Sequence, residues 1–213
     1  MEGDYFFWFS ILTNLFLIIN SFIYFKSFTK FGKAFKIFSI YLVLMCVIQL
    51  LAIFYGKYLH KSNLFLSHFY FILQFVILSF FYYFLFKKRI VLLLMIPVFF
   101  FLGYQYFLDH SIVFKYNTIG IALTQLILII YSILYLYRSL NGEAEFLIVN
   151  IGLFLYLISS TLIFASGNLV FNEKISEALN FLLVNLKRIL YFVFQILIFI
   201  EWRKNYYKKT LRS

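Results

Sequence analysis

Seven mostly apolar stretches, each close to 20 residues long, follow one another along this chain: residues 5–25, 37–55, 64–86, 90–107, 118–137, 146–166 and 179–202. A helix rising 1.5 Å per residue needs roughly 20 such residues to cross the hydrocarbon core of a bilayer. A water-soluble core is no alternative: a chain of 213 residues that is 64% hydrophobic and 24% aromatic cannot hide that much apolar surface. The stretches lack two-residue alternation and are too long for barrel strands. The expectation is an all-α polytopic membrane protein, one domain over residues 1–213 with seven transmembrane helices. Nothing is left over for a soluble domain.

The formal net charge of +11 does not point to nucleic acid, because the basic residues lie between the apolar stretches. Alternate connections hold Lys26, Lys30, Lys33 and Lys36, then Lys87, Lys88 and Arg89, then Arg138, and finally Arg203, Lys204, Lys208, Lys209 and Arg212. The other connections hold only Lys57, Lys61, Lys115 and Lys174. Since cytoplasmic loops are the positive ones, the predicted topology is N-out and C-in. Acidic Glu2 and Asp4 agree with it. The basic cytoplasmic tail, residues 203–213, is expected to contact anionic lipids.

The N-terminus is acidic where a signal peptide is basic, so the first stretch is expected to stay in the mature protein. Cys46 is the single cysteine, which excludes a disulfide framework and a cysteine metal site. The absence of an N-x-S/T sequon and the Phe/Ile/Tyr/Lys/Asn-heavy usage fit a bacterial inner membrane.

The stretch LTNLFLIINSFIY (residues 12–24) aligns with LTQLILIIYSILY (residues 123–135), with eight of thirteen positions identical and Asn14 facing Gln125. At the same offset Phe35 matches Phe146, Ile37 matches Ile148, Gly56 matches Gly167, and Gln74 falls on Asn185. Shared Thr, Ser and amide positions are harder to meet by chance than shared Leu and Ile. They suggest a 3+1+3 parallel internal repeat, with halves 5–86 and 118–202 joined by a linker helix over 90–107. In organisation this layout resembles the small sugar-transporting SWEET proteins, though Pro97 is the only proline here. The lysine in the seventh stretch resembles the retinal lysine of the microbial rhodopsins, but the third stretch offers no carboxylate as counter-ion. Neither resemblance extends to a motif, and no family follows.

The seventh stretch carries Lys187 and Arg188 side by side inside LVNLKRILYFVFQ (residues 183–195). An ionised side chain at such depth costs roughly 2.5–3.5 kcal/mol on insertion scales, so something must offset two of them. The eight acidic residues fall at the ends of stretches or between them. Neighbours on a helix diverge by about 100°, which predicts that the pair points to different faces. Asn14, Gln74, Gln125 and Asn185 share the level of Lys187, in the outer half. Gln49 and Ser159-Ser160-Thr161 join them, His68 sits higher, and Asn180 lies above Lys187 on the same face. Singly, such amides are interhelical glue worth about 0.6 kcal/mol each. Together with the basic pair they suggest an outward polar cavity floored by Lys187 or Arg188. An acid on another membrane protein, or snorkelling to the surface, would also satisfy the pair.

No metal cluster, hydrolase or phosphate-binding motif appears, and no cofactor is implied. The expected function is therefore non-catalytic binding of an anionic ligand or lipid, or of a membrane partner, as a receptor-like or complex-assembly subunit. The alternative is a facilitative transporter of a small anionic solute. The aromatic excess is expected to be lipid-facing packing and interface belt.

Overall fold

A computed structural model of the chain describes residues 2–140, 142, 144–165 and 177–212; the side chains of residues 2–7, 163–165, 177–184 and 210–212 lie outside that description. Among the described residues the chain is 86% helical and has no strands. The helices are α1 (Glu2–Lys26), α2 (Lys33–Ile53), α3 (Leu64–Phe86), α4 (Ile90–Leu93), α5 (Met95–Leu108), α6 (Thr118–Ser139), α7 (Leu147–Ala165), α8 (Glu177–Asn205) and α9 (Tyr207–Arg212). A helix thus stands at each of the seven apolar stretches. Five segments of the described chain are long and apolar enough to cross a membrane: Trp8–Lys26, Lys33–Tyr58, Leu64–Phe86, Ile90–Leu108 and Thr118–Ser139.

Two stretches are less regular than their composition suggests. The fourth is interrupted at Leu94, three residues before Pro97. The proline ring supplies no N–H and crowds the carbonyl four residues back, so the chain breaks into α4 and α5 there. The second runs on from α2 into a π-helical segment, Phe54–Tyr58. At the transition the Asn63 side-chain amide donates to the Ala52 carbonyl at 3.0 Å.

Helix ends are closed by specific groups. Asn117 caps α6, its Oδ1 accepting the Gly120 N–H at 2.8 Å. At the end of α3, Lys87 adopts a left-handed conformation and its N–H reaches the Tyr83 carbonyl. The Arg138 guanidinium donates to the last carbonyls of the helix, those of Phe86 at 3.2 Å and Leu85 at 3.4 Å. Glu201 is fully buried and accepts the Ile148 N–H in the first turn of α7 at 3.0 Å, a favourable place for an anion.

α2 packs on α1 and α3, α7 packs on α6 and α8, and the ring closes through α1 against α8 and α3 against α6. α4 and α5 lie outside it, on α3 and α6. Gly152 brings α7 close to α8: a Cβ there would stand 2.9 Å from the Phe194 ring and 3.0 Å from Leu197.

The aromatic expectation needs correction. Tyr24, Tyr41, Tyr82, Phe35, Phe38, Phe81 and Phe146 are among the largest fully buried side chains, so much of the excess builds the core. Exposed rings such as Phe22, Phe100 and Phe107 are the part that faces outward. A large ring fills space between helices that have little hydrophobic drive to associate in lipid, where packing must hold them together.

Candidate functional site

A cavity of about 390 Å³ opens within the ring, at the end where α1, α3 and α6 begin. This is termed the near end. Its wall is made by Ser10, Thr13 and Asn14 of α1, Gln49 and Ala52 of α2, Ser67 and Tyr70 of α3, Gln125 of α6, Tyr156 of α7, and Lys187, Arg188 and Tyr191 of α8. Asn63 and Tyr116 reach it from the connections. No acidic side chain is among the described residues of the lining.

Lys187 and Arg188 both line this cavity, although they start from different faces of the helix. Helix geometry sets their Cα–Cβ bonds about 100° apart, yet both side chains are long enough to reach one space. Lys187 is half-buried and Arg188 exposed. Lys187 stands ten residues past Glu177, about 15 Å along the helix. Buried Glu201 is fourteen residues further on, about 21 Å away along α8 and committed to α7, so it does not serve the pair.

The remaining predicted residues divide. Asn14 and Gln125 line the cavity. Gln125 is also held by α7: its Nε2 donates to the Ser160 hydroxyl at 3.1 Å and its Oε1 accepts from Thr161 at 2.9 Å. Gln74 and Asn185 are buried but lie off the lining. The Gln74 amide donates to the Tyr41 hydroxyl at 3.2 Å, while Gln74 Oε1 and Asn185 Nδ2 find no hydrogen-bond partner among the described residues. Orphan atoms of this kind carry a desolvation cost that a bridging water would remove. His68 is buried away from the cavity; its Nε2–H donates to the Lys115 carbonyl at 2.8 Å and its Nδ1 meets the Tyr106 hydroxyl at 2.6 Å. It pins the connection before α6 rather than lining the cavity. Asn180 belongs to α8, and its side chain lies outside the described residues, as does Gly167.

Sequence reasoning missed the tyrosines of the site. Tyr70 and Tyr156 join their hydroxyls at 2.8 Å, and the Tyr191 ring packs tilted against that of Tyr156, with centroids 5.1 Å apart. The usable signal was position: Tyr156 and Tyr191 sit near the middle of apolar stretches, where a belt tyrosine does not belong.

At the opposite, far end the ring is filled. Phe35, Phe38, Phe81, Phe146 and Tyr206 form one cluster, with Phe146 ring centroids 5.2–6.2 Å from those of the other four. Between the two ends, polar groups are paired helix to helix. Asn20 donates to the Gln195 carbonyl at 2.8 Å, and Tyr82 and Ser132 both donate to Asn150 Oδ1, at 2.6 and 3.0 Å.

Among the described residues no group of His, Cys, Asp and Glu could hold a metal ion. Comparison with known protein families, with curated proteins and with solved structures finds no match. The arrangement offers two cations, several hydroxyls and amides, and an aromatic wall in one partly enclosed space. That combination can orient an anion by charge-assisted hydrogen bonds and pack an apolar body beside it.

Proposed function

We propose that this chain is a non-catalytic integral membrane protein that binds a small anionic solute in the near-end cavity. The observation that carries the reading is the lining itself, in which Lys187 and Arg188 contribute to one space together with the amides of Asn14 and Gln125 and the hydroxyls of Tyr70 and Tyr156. Two like charges side by side at depth are costly, and an anion between them offsets that cost. The volume of about 390 Å³ falls within the roughly 300–1,000 Å³ of small-molecule sites. Asn14 and Gln125 on facing walls, with the Tyr70–Tyr156 hydroxyl pair, supply polar groups for orientation.

The reading includes seven spans with the N-terminus outside, in a bacterial inner membrane. Its support is the charge distribution: Lys26, Lys33, Lys36, Lys87, Lys88, Arg138 and Arg203 gather toward the far end, where cytoplasmic headgroups would meet them. The near-end cavity then opens outward, as a receptor-like site would.

Thermal unfolding of the detergent-purified protein against a panel of small carboxylates, sulfonates and phosphate esters tests this. A ligand at about 100 times its Kd adds about 2.7 kcal/mol of stability, a readily measured rise in Tm. The Lys187→Leu/Arg188→Leu protein should lose that rise while remaining folded. A double variant that responds to the panel as the wild type does would overturn the reading. If instead a membrane protein bearing an intramembrane Asp or Glu co-purifies stoichiometrically and needs the same two residues, the pair is an assembly contact.

A further inference from the structure

The offset of 111 residues that aligns α1 with α6 also governs burial. On those helices Leu17 and Leu128, Ser21 and Ser132, and Tyr24 and Tyr135 are buried alike. Thr13 donates to the Phe9 carbonyl, and its counterpart Thr124 donates to the Gly120 carbonyl, the equivalent atom. The agreement continues onto the next helix in each half. Over residues 35–43 and 146–154 every position matches its counterpart as buried, half-buried or exposed. Side chains often differ within these pairs, as Ser39 and Asn150 do, so the agreement is one of packing phase and not merely of composition.

Contacts obey the same exchange. Replacing α1, α2 and α3 by α6, α7 and α8 turns α1 on α2 into α6 on α7, α2 on α3 into α7 on α8, and α1 on α8 into α6 on α3. Each of these packings is present. That is the signature of a pseudo-two-fold axis along the bundle. A residue that touches its own counterpart must lie near such an axis. Phe35 and Phe146 are counterparts, and their ring centroids are 6.2 Å apart, within the far-end cluster. Counterparts Asn14 and Gln125 both line the near-end cavity. One axis therefore passes through the cavity and the aromatic plug.

We propose that the cavity is one mouth of a passage along this axis, shut in this state by the packed side chains beyond it, which end at the far mouth in the Phe35–Phe146 pair as its gate. The two three-helix halves rock about the gate, so that the bound anion is exposed alternately at each end; parallel repeats about such an axis give this motion a natural hinge. The inference rests on the reading of the cavity as an anion site. The backbone at the gate supports it: Phe146 is held at φ 60°, a costly conformation for a bulky residue and one typical of switch regions. It immediately precedes α7, whose movement would release it.

The test needs no knowledge of the solute. In a Cys46→Ser background, Ser67→Cys places one thiol on the cavity wall. Its reaction with the membrane-impermeant anionic reagent 2-sulfonatoethyl methanethiosulfonate is timed in right-side-out and inverted vesicles. Reaction from the near side is expected with the native gate. Phe35→Ala/Phe146→Ala should raise the far-side rate at least tenfold and leave the near-side rate unchanged. An altered near-side rate would mark a disturbed bundle, in which case Phe146→Leu, which keeps an apolar side chain, is read by the same criterion. Near-side reaction with no far-side gain in a folded gate variant overturns the passage and leaves a dead-end binding site. No near-side reaction overturns both the passage and the solute-accessible cavity.

Discussion

The near and far ends of the bundle are made by the same six helices, yet one is hollow and polar and the other is solid and aromatic. At the near end, small and amide side chains such as Ser10, Asn14, Gln49 and Ser67 leave a space of about 390 Å³. At the far end, Phe35, Phe38, Phe81 and Phe146 occupy the corresponding place on the axis. The helices do not splay for lack of packing, because Leu17, Leu42, Leu78, Leu128 and Leu153 are fully buried between the ends. Hollow and filled ends therefore follow from side-chain size along otherwise similar helices. A bundle in lipid gains little from burying apolar surface, so a cavity of this size must be compensated by close packing elsewhere. The aromatic end supplies that packing.

Four changes break or sharpen the contrast, in order of expected effect. Lys187→Leu/Arg188→Leu should abolish the ligand-induced Tm rise, at least a hundredfold loss of affinity, while the unliganded Tm holds or increases because two costly ions leave the membrane. Gly152→Val should lower stability by about 1–3 kcal/mol, since Phe194 and Leu197 stand where its side chain must go; thermal unfolding in detergent reads it. Glu201→Leu should cost about 1–2 kcal/mol by leaving the Ile148 N–H uncapped, with the response to ligand intact because this carboxylate is at the far end. Gln125→Leu should change stability by only about 1.2 kcal/mol, since it removes two interhelical hydrogen bonds usually worth about 0.6 kcal/mol each. A loss of ligand response larger than that stability change would identify Gln125 as a binding group and not glue.

Much of the architecture was legible because its causes are local. Periodic Leu, Ile and Phe runs of membrane length gave each helix, and α3 begins and ends where its composition changes. The break at Leu94 was implicit in Pro97, whose effect was underestimated. The site was only half legible. Depth counting brought Asn14, Gln125, Lys187 and Arg188 to one level, and they line one cavity. It could not tell which way each amide turns, since Gln74 and Asn185 share that level yet face packed neighbours. Nor could it foresee that Tyr156, Tyr70 and Tyr191 would form one wall: mid-stretch position takes Tyr156 and Tyr191 out of the belt, but not toward a cavity rather than the core. Rotation about the helix axis is set by tertiary packing, which short-range pattern does not encode.

The closure of the ring has a bearing on biosynthesis. The Asn20 Nδ2 on α1 donates to Gln195 on α8, 175 residues later, and the Tyr24 hydroxyl donates to the Ile198 carbonyl. Ribosomes add roughly 5–20 residues per second, so the first helix waits about 9–35 s for this partner. Throughout that interval a bare amide is lodged among lipid tails. Nascent α1 thus has reason to linger at the insertion machinery or beside a chaperone, and to be released only when α8 arrives.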